Sequence, residues 1–124
     1  MNAWDTFWAH VDDGSIRVPT CAVCATPNWY PTARCRNCAA AEFDWQVLSG
    51  EGEVFLAMPI FRDFAEDGRT VPYGVALFSP IEHPTLRMLA RVVGDGLPNA
   101  GQTVRVTVAE IDGHHVPCIH MDAA

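Results

Sequence analysis

At 124 residues and 13.6 kDa the chain suits one domain, or one domain with a small metal-stapled appendage. A hydrophobic content of 49% with 19% charged residues excludes a disordered chain. The formal charge of −7, with every basic residue an arginine, argues against a groove for nucleic acid, and no apolar run approaches the roughly eighteen residues of a membrane span.

The N-terminus, Met1-Asn2-Ala3-Trp4-Asp5, has neither the basic nor the apolar region of a secretory signal, so a soluble, cytoplasmic protein is expected. Trp4, Phe7, Trp8 and Val11 fall at i, i+3, i+4 and i+7, the stripe of a short helix ended by Asp12-Asp13-Gly14-Ser15. Such a stripe packs on its own domain as a rule. Three large aromatics on about ten residues also suit a subunit contact.

Ile16 to Pro19 is an extended lead into Cys21-Ala22-Val23-Cys24, and ten residues later Cys35-Arg36-Asn37-Cys38 repeats the pattern. Two Cys-x-x-Cys knuckles deliver four thiolates to a tetrahedral ion and leave no open position for water, which makes a structural site. Metal ligands are therefore assigned to Cys21, Cys24, Cys35 and Cys38, with Zn(2+) as the ion. Asn28-Trp29-Tyr30-Pro31 forms the tip between the knuckles, its aromatics covering the metal or a seam to the next domain. A ribbon this small has almost no core, so the metal would contribute folding free energy directly.

Beyond Glu42 the hydrophobic period becomes two. Trp45 to Ile60, broken at Gly50-Glu51-Gly52, reads as one long bent strand with a bulge or barrel corner at the glycines. Arg62 to Pro72 is a charged loop, and Tyr73 to Phe78 is the next strand. After a turn from Ser79 to Pro84, Thr85 to Val93 alternates Leu86, Met88, Ala90 and Val92 with Arg87 and Arg91. Gly94 to Gly101 is a long turn, Thr103 to Glu110 alternates Val104, Val106 and Val108 with Arg105 and Thr107, and Asp112-Gly113 makes a hairpin into His115 to Met121. About five strands with no interleaved helix predict a closed or nearly closed barrel. The expected fold is mainly β: an N-terminal helix and zinc ribbon over 1–44, then an OB-fold-like barrel over 45–124.

The order of these parts resembles the zinc-ribbon and OB-fold acyl-CoA-associated family. The resemblance is carried by Trp8, by Gly14-Ser15-Ile16-Arg17-Val18-Pro19-Thr20-Cys21, and by both cysteine pairs. It continues through Ser49-Gly50-Glu51-Gly52-Glu53-Val54, Tyr73-Gly74-Val75-Ala76-Leu77 and Gly101-Gln102-Thr103-Val104-Arg105-Val106. It implies a non-catalytic accessory subunit in a hetero-oligomer, beside a thiolase-like condensing or retro-aldol enzyme or a hot-dog enoyl-CoA hydratase, in lipid or steroid breakdown. Acyl-CoA would be met through the complex. Ala25 and Ala39 depart from the pattern, standing where knuckles often place glycine; a left-handed alanine costs about 1–2 kcal/mol. Only part of the double-proline approach to the second knuckle is kept, in Tyr30-Pro31-Thr32-Ala33-Arg34.

Chemistry by the chain alone is not expected. Cys118 lies in a strand as a small buried hydrophobe, although His120 shares its face and would be the base for a nucleophile. The carboxylates Glu42, Asp44, Glu51, Glu53, Glu66 and Asp67 show no acid–base spacing, and His114-His115 reads as a solvated hairpin end. Arginine suits phosphate, so Arg62 and Arg69 on the charged loop are assigned a CoA contact, while Arg87, Arg91 and Arg105 point off one barrel face by alternation. Two other functions use the same parts: a nucleic-acid-binding ribbon and barrel, and a rubredoxin-like electron carrier with iron in the cage.

Overall fold

A computed structural model of the chain describes residues 2–61, 73–94, 96–111 and 113–121. It begins with α1, Ala3–Asp12. Asn2 caps this helix reciprocally: its Oδ1 accepts the Asp5 amide at 3.0 Å, and its own amide donates to Asp5 Oδ2 at 3.0 Å. Asp5 also places negative charge at the positive end of the helix.

Two strands, β1 (Arg17–Cys21) and β2 (Phe43–Val47), form an antiparallel sheet in register Arg17↔Val47 to Cys21↔Phe43, with both knuckles in the chain between them. The long bent strand expected from Trp45 to Ile60 is thus two strands in two different sheets. The second is β3 (Glu51–Ile60), which opens a barrel completed by β4 (Tyr73–Pro80), β5 (Met88–Gly94), β6 (Thr103–Ile111) and β7 (His114–Met121). The barrel closes in the order β3-β4-β5-β7-β6, with β5 and β7 parallel and every other pair antiparallel. This is the five-stranded OB-like barrel expected from the sequence.

Alternation along the strands places Val54, Ala76, Phe78, Met88, Ala90, Val92, Val104, Val106 and Ile119 in the buried interior. The same apolar cluster takes in Phe7 and Val11 of α1, and Ile16, Val18 and Leu48 of the ribbon. One core therefore runs through both halves, and α1 packs on β1 and β7. The helical stripe divides: Phe7 and Val11 are core, while Trp4 and Trp8 remain 37% and 42% exposed. The expected bulge lies beyond the glycines, where the β3–β4 register slips between Val54 and Leu56 and leaves Phe55 half exposed.

Gly50 makes the switch from one sheet to the other. Its φ is +91°, and a Cβ there would lie 2.3 Å from the Val106 carbonyl oxygen. Its own carbonyl accepts the Val106 amide at 2.7 Å. The segment before β5 fastens the same junction: Ser49 N–H donates to Glu82 Oε2 at 2.7 Å, Ile81 N–H to the Glu51 carbonyl at 2.9 Å, and His83 Nε2 meets Gln46 Oε1 at 2.6 Å. Burial works to raise the Glu82 carboxyl, but hydrogen bonds from the Ser49 amide and its own amide outweigh it and hold the group below the ordinary carboxylate range.

Gly50→Ala combines a left-handed backbone with a clash against fixed backbone. It should cost more than about 2 kcal/mol in urea unfolding, where Gly14→Ala, whose Cβ meets nothing within 4 Å, should pay only the cost of its positive φ.

Candidate metal centre and aromatic groove

Each knuckle is the same turn made twice. The Ala25 amide donates to the Cys21 carbonyl at 2.8 Å, and the Ala39 amide to the Cys35 carbonyl at 2.9 Å. Both turns finish in left-handed alanines, φ 64° at Ala25 and 65° at Ala39, so the departures from glycine noted in the sequence do carry the strained backbone. In both knuckles backbone N–H groups aim at the first sulfur: Val23 and Cys24 at Cys21 Sγ (3.4 and 3.5 Å), Asn37 at Cys35 Sγ (3.4 Å). Such donors favour thiolate over thiol.

The four sulfurs of Cys21, Cys24, Cys35 and Cys38 lie within 4.8 Å of one another and form a set that can hold a metal ion. Cys21 and Cys35 are buried, Cys24 is half-buried and Cys38 is exposed. The Thr26 hydroxyl, and after it the Asn37 amide, draw Cys24 down to about 5. Cys35 is also lowered, first by its backbone hydrogen bond within the Cys35–Cys38 turn. Cys38 goes the other way: against the lowering hydrogen bond at Ala40, the neighbouring Cys21 sulfur and burial drive it up to about 12. Four crowded sulfurs cannot all ionise by themselves, and a cation at their centre removes that conflict. The donor set therefore fits a soft, tetrahedral divalent ion.

Sequence reasoning took Asn28 as part of a tip; the structure makes it the tie between the knuckles. It is 1% exposed. Its Nδ2 donates to the Thr26 carbonyl at 3.1 Å and lies 3.5 Å from Cys35 Sγ, while its Oδ1 accepts the Arg36 amide at 2.9 Å. Its backbone amide reaches the Pro19 carbonyl at 2.8 Å. The only hint in the sequence was an amide residue inside an aromatic tip. Arg36 closes the tip from outside, donating to the carbonyls of Trp29 and Tyr30.

Trp29 and Tyr30 turn from the metal to the helix. Trp29 lies edge-on to Trp4 (centroids 5.5 Å) and Phe7 (5.1 Å), and Tyr30 stacks at a tilt on Trp4 at 5.7 Å. With Trp8 they form one wall of a groove of about 390 Å³. The opposite wall is the outer face of the barrel, with Val75, Leu77 and Leu89. Arg87 and Arg91 also line it, each over a ring: Arg87 is 4.5 Å from the Phe55 centroid and Arg91 is 4.1 Å from that of Tyr73. Arg105, expected on the same face, instead leaves β6 elsewhere and pairs with Glu51 at 3.1 Å.

Arg62 and Arg69 lie outside the described residues. Cys118 sits opposite Arg91 in register, turned from the barrel interior, yet has no exposure. Burial pushes its thiol up, and His120 is exposed, so no nucleophile–base pair forms there. His114 and His115 are both exposed; His115 lies 3.5 Å from Asp12 and 3.7 Å from Glu110. Among the described residues the cysteine set is the one group of three or more ligating side chains close enough to share an ion. No helix among them is long and apolar enough to cross a membrane.

Asn28→Ala would strip the Arg36 amide of its acceptor and leave a small void beside Cys35. Thermal or urea unfolding should show a loss of about 2 kcal/mol, with metal lost to a competing chelator about ten-fold more readily.

Comparison with known proteins places these features in a family context. Residues 8–44 match the rubredoxin-like zinc ribbon domain of ChsH2. A search of curated proteins gave no match. Among solved structures, a chain of the Ltp2–ChsH2(DUF35) aldolase superposes with a TM-score of 0.80 at 21% identity, over 94% of this chain and 91% of that one. A DUF35-family protein of unknown function from Sulfolobus solfataricus gives a TM-score of 0.61 at 15% identity, over 97% of this chain and 85% of that one. Residues 8–44 thus carry the match to a rubredoxin-like zinc ribbon, and the chain as a whole shares the fold of these two DUF35 structures.

Proposed function

We propose that this chain is a non-catalytic, zinc-binding accessory subunit of an acyl-CoA-processing enzyme, working in a hetero-oligomer with a thiolase-like aldolase or condensing subunit. The observation that supports the reading is a set of four convergent sulfurs in a segment that matches the zinc ribbon domain of ChsH2, in a chain with the fold of one chain of the Ltp2–ChsH2(DUF35) aldolase. A hot-dog enoyl-CoA hydratase is the alternative partner. Lipid or steroid breakdown in the cytoplasm is the setting that this reading implies.

The role is architectural. Four cysteines would hold Zn(2+), which supplies charge neutralisation and a fixed tetrahedral centre. Asn28 and Arg36 orient the tip on that centre. The tip and α1 then present Trp4, Trp8 and Tyr30 on a surface that stays partly exposed in the isolated chain, the kind of rigid aromatic anchor that protein interfaces use. Among the described residues, Cys118 is buried, with burial pushing its thiol up, and His114, His115 and His120 are exposed, so these groups form no nucleophile–base pair.

Metal analysis of protein purified without added metal should give one zinc per chain in a colourless sample. A red, iron-bearing protein would favour the electron-carrier reading, since iron uses the same four thiolates. Co-expression with a thiolase-like subunit should yield a stable complex with activity that the partner lacks alone. A partner fully active in isolation would overturn the accessory role.

The arginines of the charged loop give the reading a second handle. If Arg62 and Arg69 meet CoA phosphates, replacing both with alanine should weaken acyl-CoA binding to the assembled complex by about ten-fold or more, as expected for lost charge-assisted hydrogen bonds. Unchanged affinity in a calorimetric titration removes that contact.

A further inference from the structure

The two knuckles repeat one another, and the repeat fails in its side-chain donors. The Cys21 amide donates to the Thr26 carbonyl at 2.9 Å, and the Cys35 amide to the Ala40 carbonyl at 2.8 Å. Thr26 and Ala40 are therefore equivalent, each two residues past the second cysteine of its knuckle. Their amides serve equivalent sulfurs, Thr26 that of Cys24 and Ala40 that of Cys38. Thr26 adds a hydroxyl, whose Oγ1 lies 3.1 Å from Cys24 Sγ, and Ala40 has none to add. Asn37 Nδ2 reaches the same Cys24 sulfur at 3.5 Å, while its counterpart in the first knuckle, Val23, has no polar group to return the contact. Both side-chain donors thus fall on Cys24. Among the described residues no hydroxyl or amide side chain serves Cys38.

Access is graded the same way. Cys21 and Cys35 are 3% and 4% exposed, Cys24 is half-buried, and Cys38 is exposed. With an ion bound, all four sulfurs are thiolates, so charge no longer sets them apart. Hydrogen bonding and access do. A donor at a thiolate stabilises its charge and lowers its nucleophilicity. The sulfur with the fewest donors is also the open one, and Cys21 Sγ stands 3.5 Å from it.

We propose that Cys38 is a peroxide-sensitive thiolate with Cys21 as its resolving partner, and that oxidation of this pair releases the ion. The proposal deepens the zinc-binding reading above and rests on it. Cys38 Sγ attacks one oxygen of the peroxide: an S–O bond forms, the O–O bond breaks and hydroxide leaves. The Cys21 thiolate then attacks the sulfenic sulfur, forming the S–S bond and expelling a second hydroxide. The two sulfurs together lose two electrons and the peroxide gains them. Cys21 needs no opening to solvent, because its attack is internal. Cys24 and Cys35 remain as two thiolates, too few to close a tetrahedral site. The tip that Asn28 ties to Cys35 then loses its fixed centre.

Hydrogen peroxide added to the full, zinc-loaded chain tests this, with zinc release read by a chromogenic chelator and bridges mapped by mass spectrometry. The first bridge should join Cys21 to Cys38, appear in step with zinc release, and leave Cys24, Cys35 and Cys118 as free thiols. Ala40→Thr supplies the missing hydroxyl and should slow release about three-fold, the effect of one added donor at the Brønsted slope of thiol chemistry. Thr26→Ala strips a donor from Cys24 and should raise the share of Cys24–Cys35 bridges without slowing release. A chain purified without zinc would remove the metal reading and this one with it. Bound zinc that survives excess peroxide, a first bridge within either knuckle or between Cys24 and Cys35, or equal release from all three proteins would overturn the switch alone.

Discussion

Four sulfurs brought within 4.8 Å of one another are an electrostatic problem before they are a site. Hydrogen bonds push Cys24 toward thiolate while its neighbours push Cys38 toward thiol, so the cage cannot reach a uniform state unaided. The backbone accepts further cost to hold it, with two alanines in the left-handed region. Such an arrangement persists only where something stabilises it strongly, and a divalent cation is the group that four convergent thiolates suit. The orientation of the tip, and through Trp29 the seat of the helix, follows from that centre.

The cage does not act as an appendage, because the two halves share one core. Phe7, Val11, Val18 and Leu48 join the same apolar cluster as the barrel interior. Gly50 lets the chain pass from one sheet to the other with its backbone against Val106, and Glu82 and His83 fasten the passage from the barrel side. Ribbon and barrel are thereby coupled by packing and by short polar contacts together. A rigid ribbon means a rigid wall on the groove it faces.

The surface is divided by chemistry. Carboxylates and Arg105 occupy the outer side of the β3–β6 junction, where Glu51 and Arg105 pair in solvent. The β4–β5 side is apolar and aromatic, with arginines laid on rings. Leu89 and Trp8 are left exposed on this second face, the kind of apolar surface that suits contact with another molecule.

The sequence alone determined the elements whose cause is local. Cysteine spacing announced the cage, the i, i+3, i+4, i+7 stripe announced α1, and period-two alternation announced β4 to β7, with Met88, Ala90, Val92, Val104 and Val106 correctly placed inward in β5 and β6. Tertiary structure decided what depends on partners distant in the chain. Trp45 and Gly52 belong to different sheets because β2 finds β1 some twenty-five residues upstream, and periodicity cannot tell one strand from two that change partner at a glycine. Asn28 became the tie between knuckles only because folding brings it against Cys35 and Arg36. Arg87 and Arg91 parted from Arg105 because a barrel curves, and residues with the same alternation then face different directions.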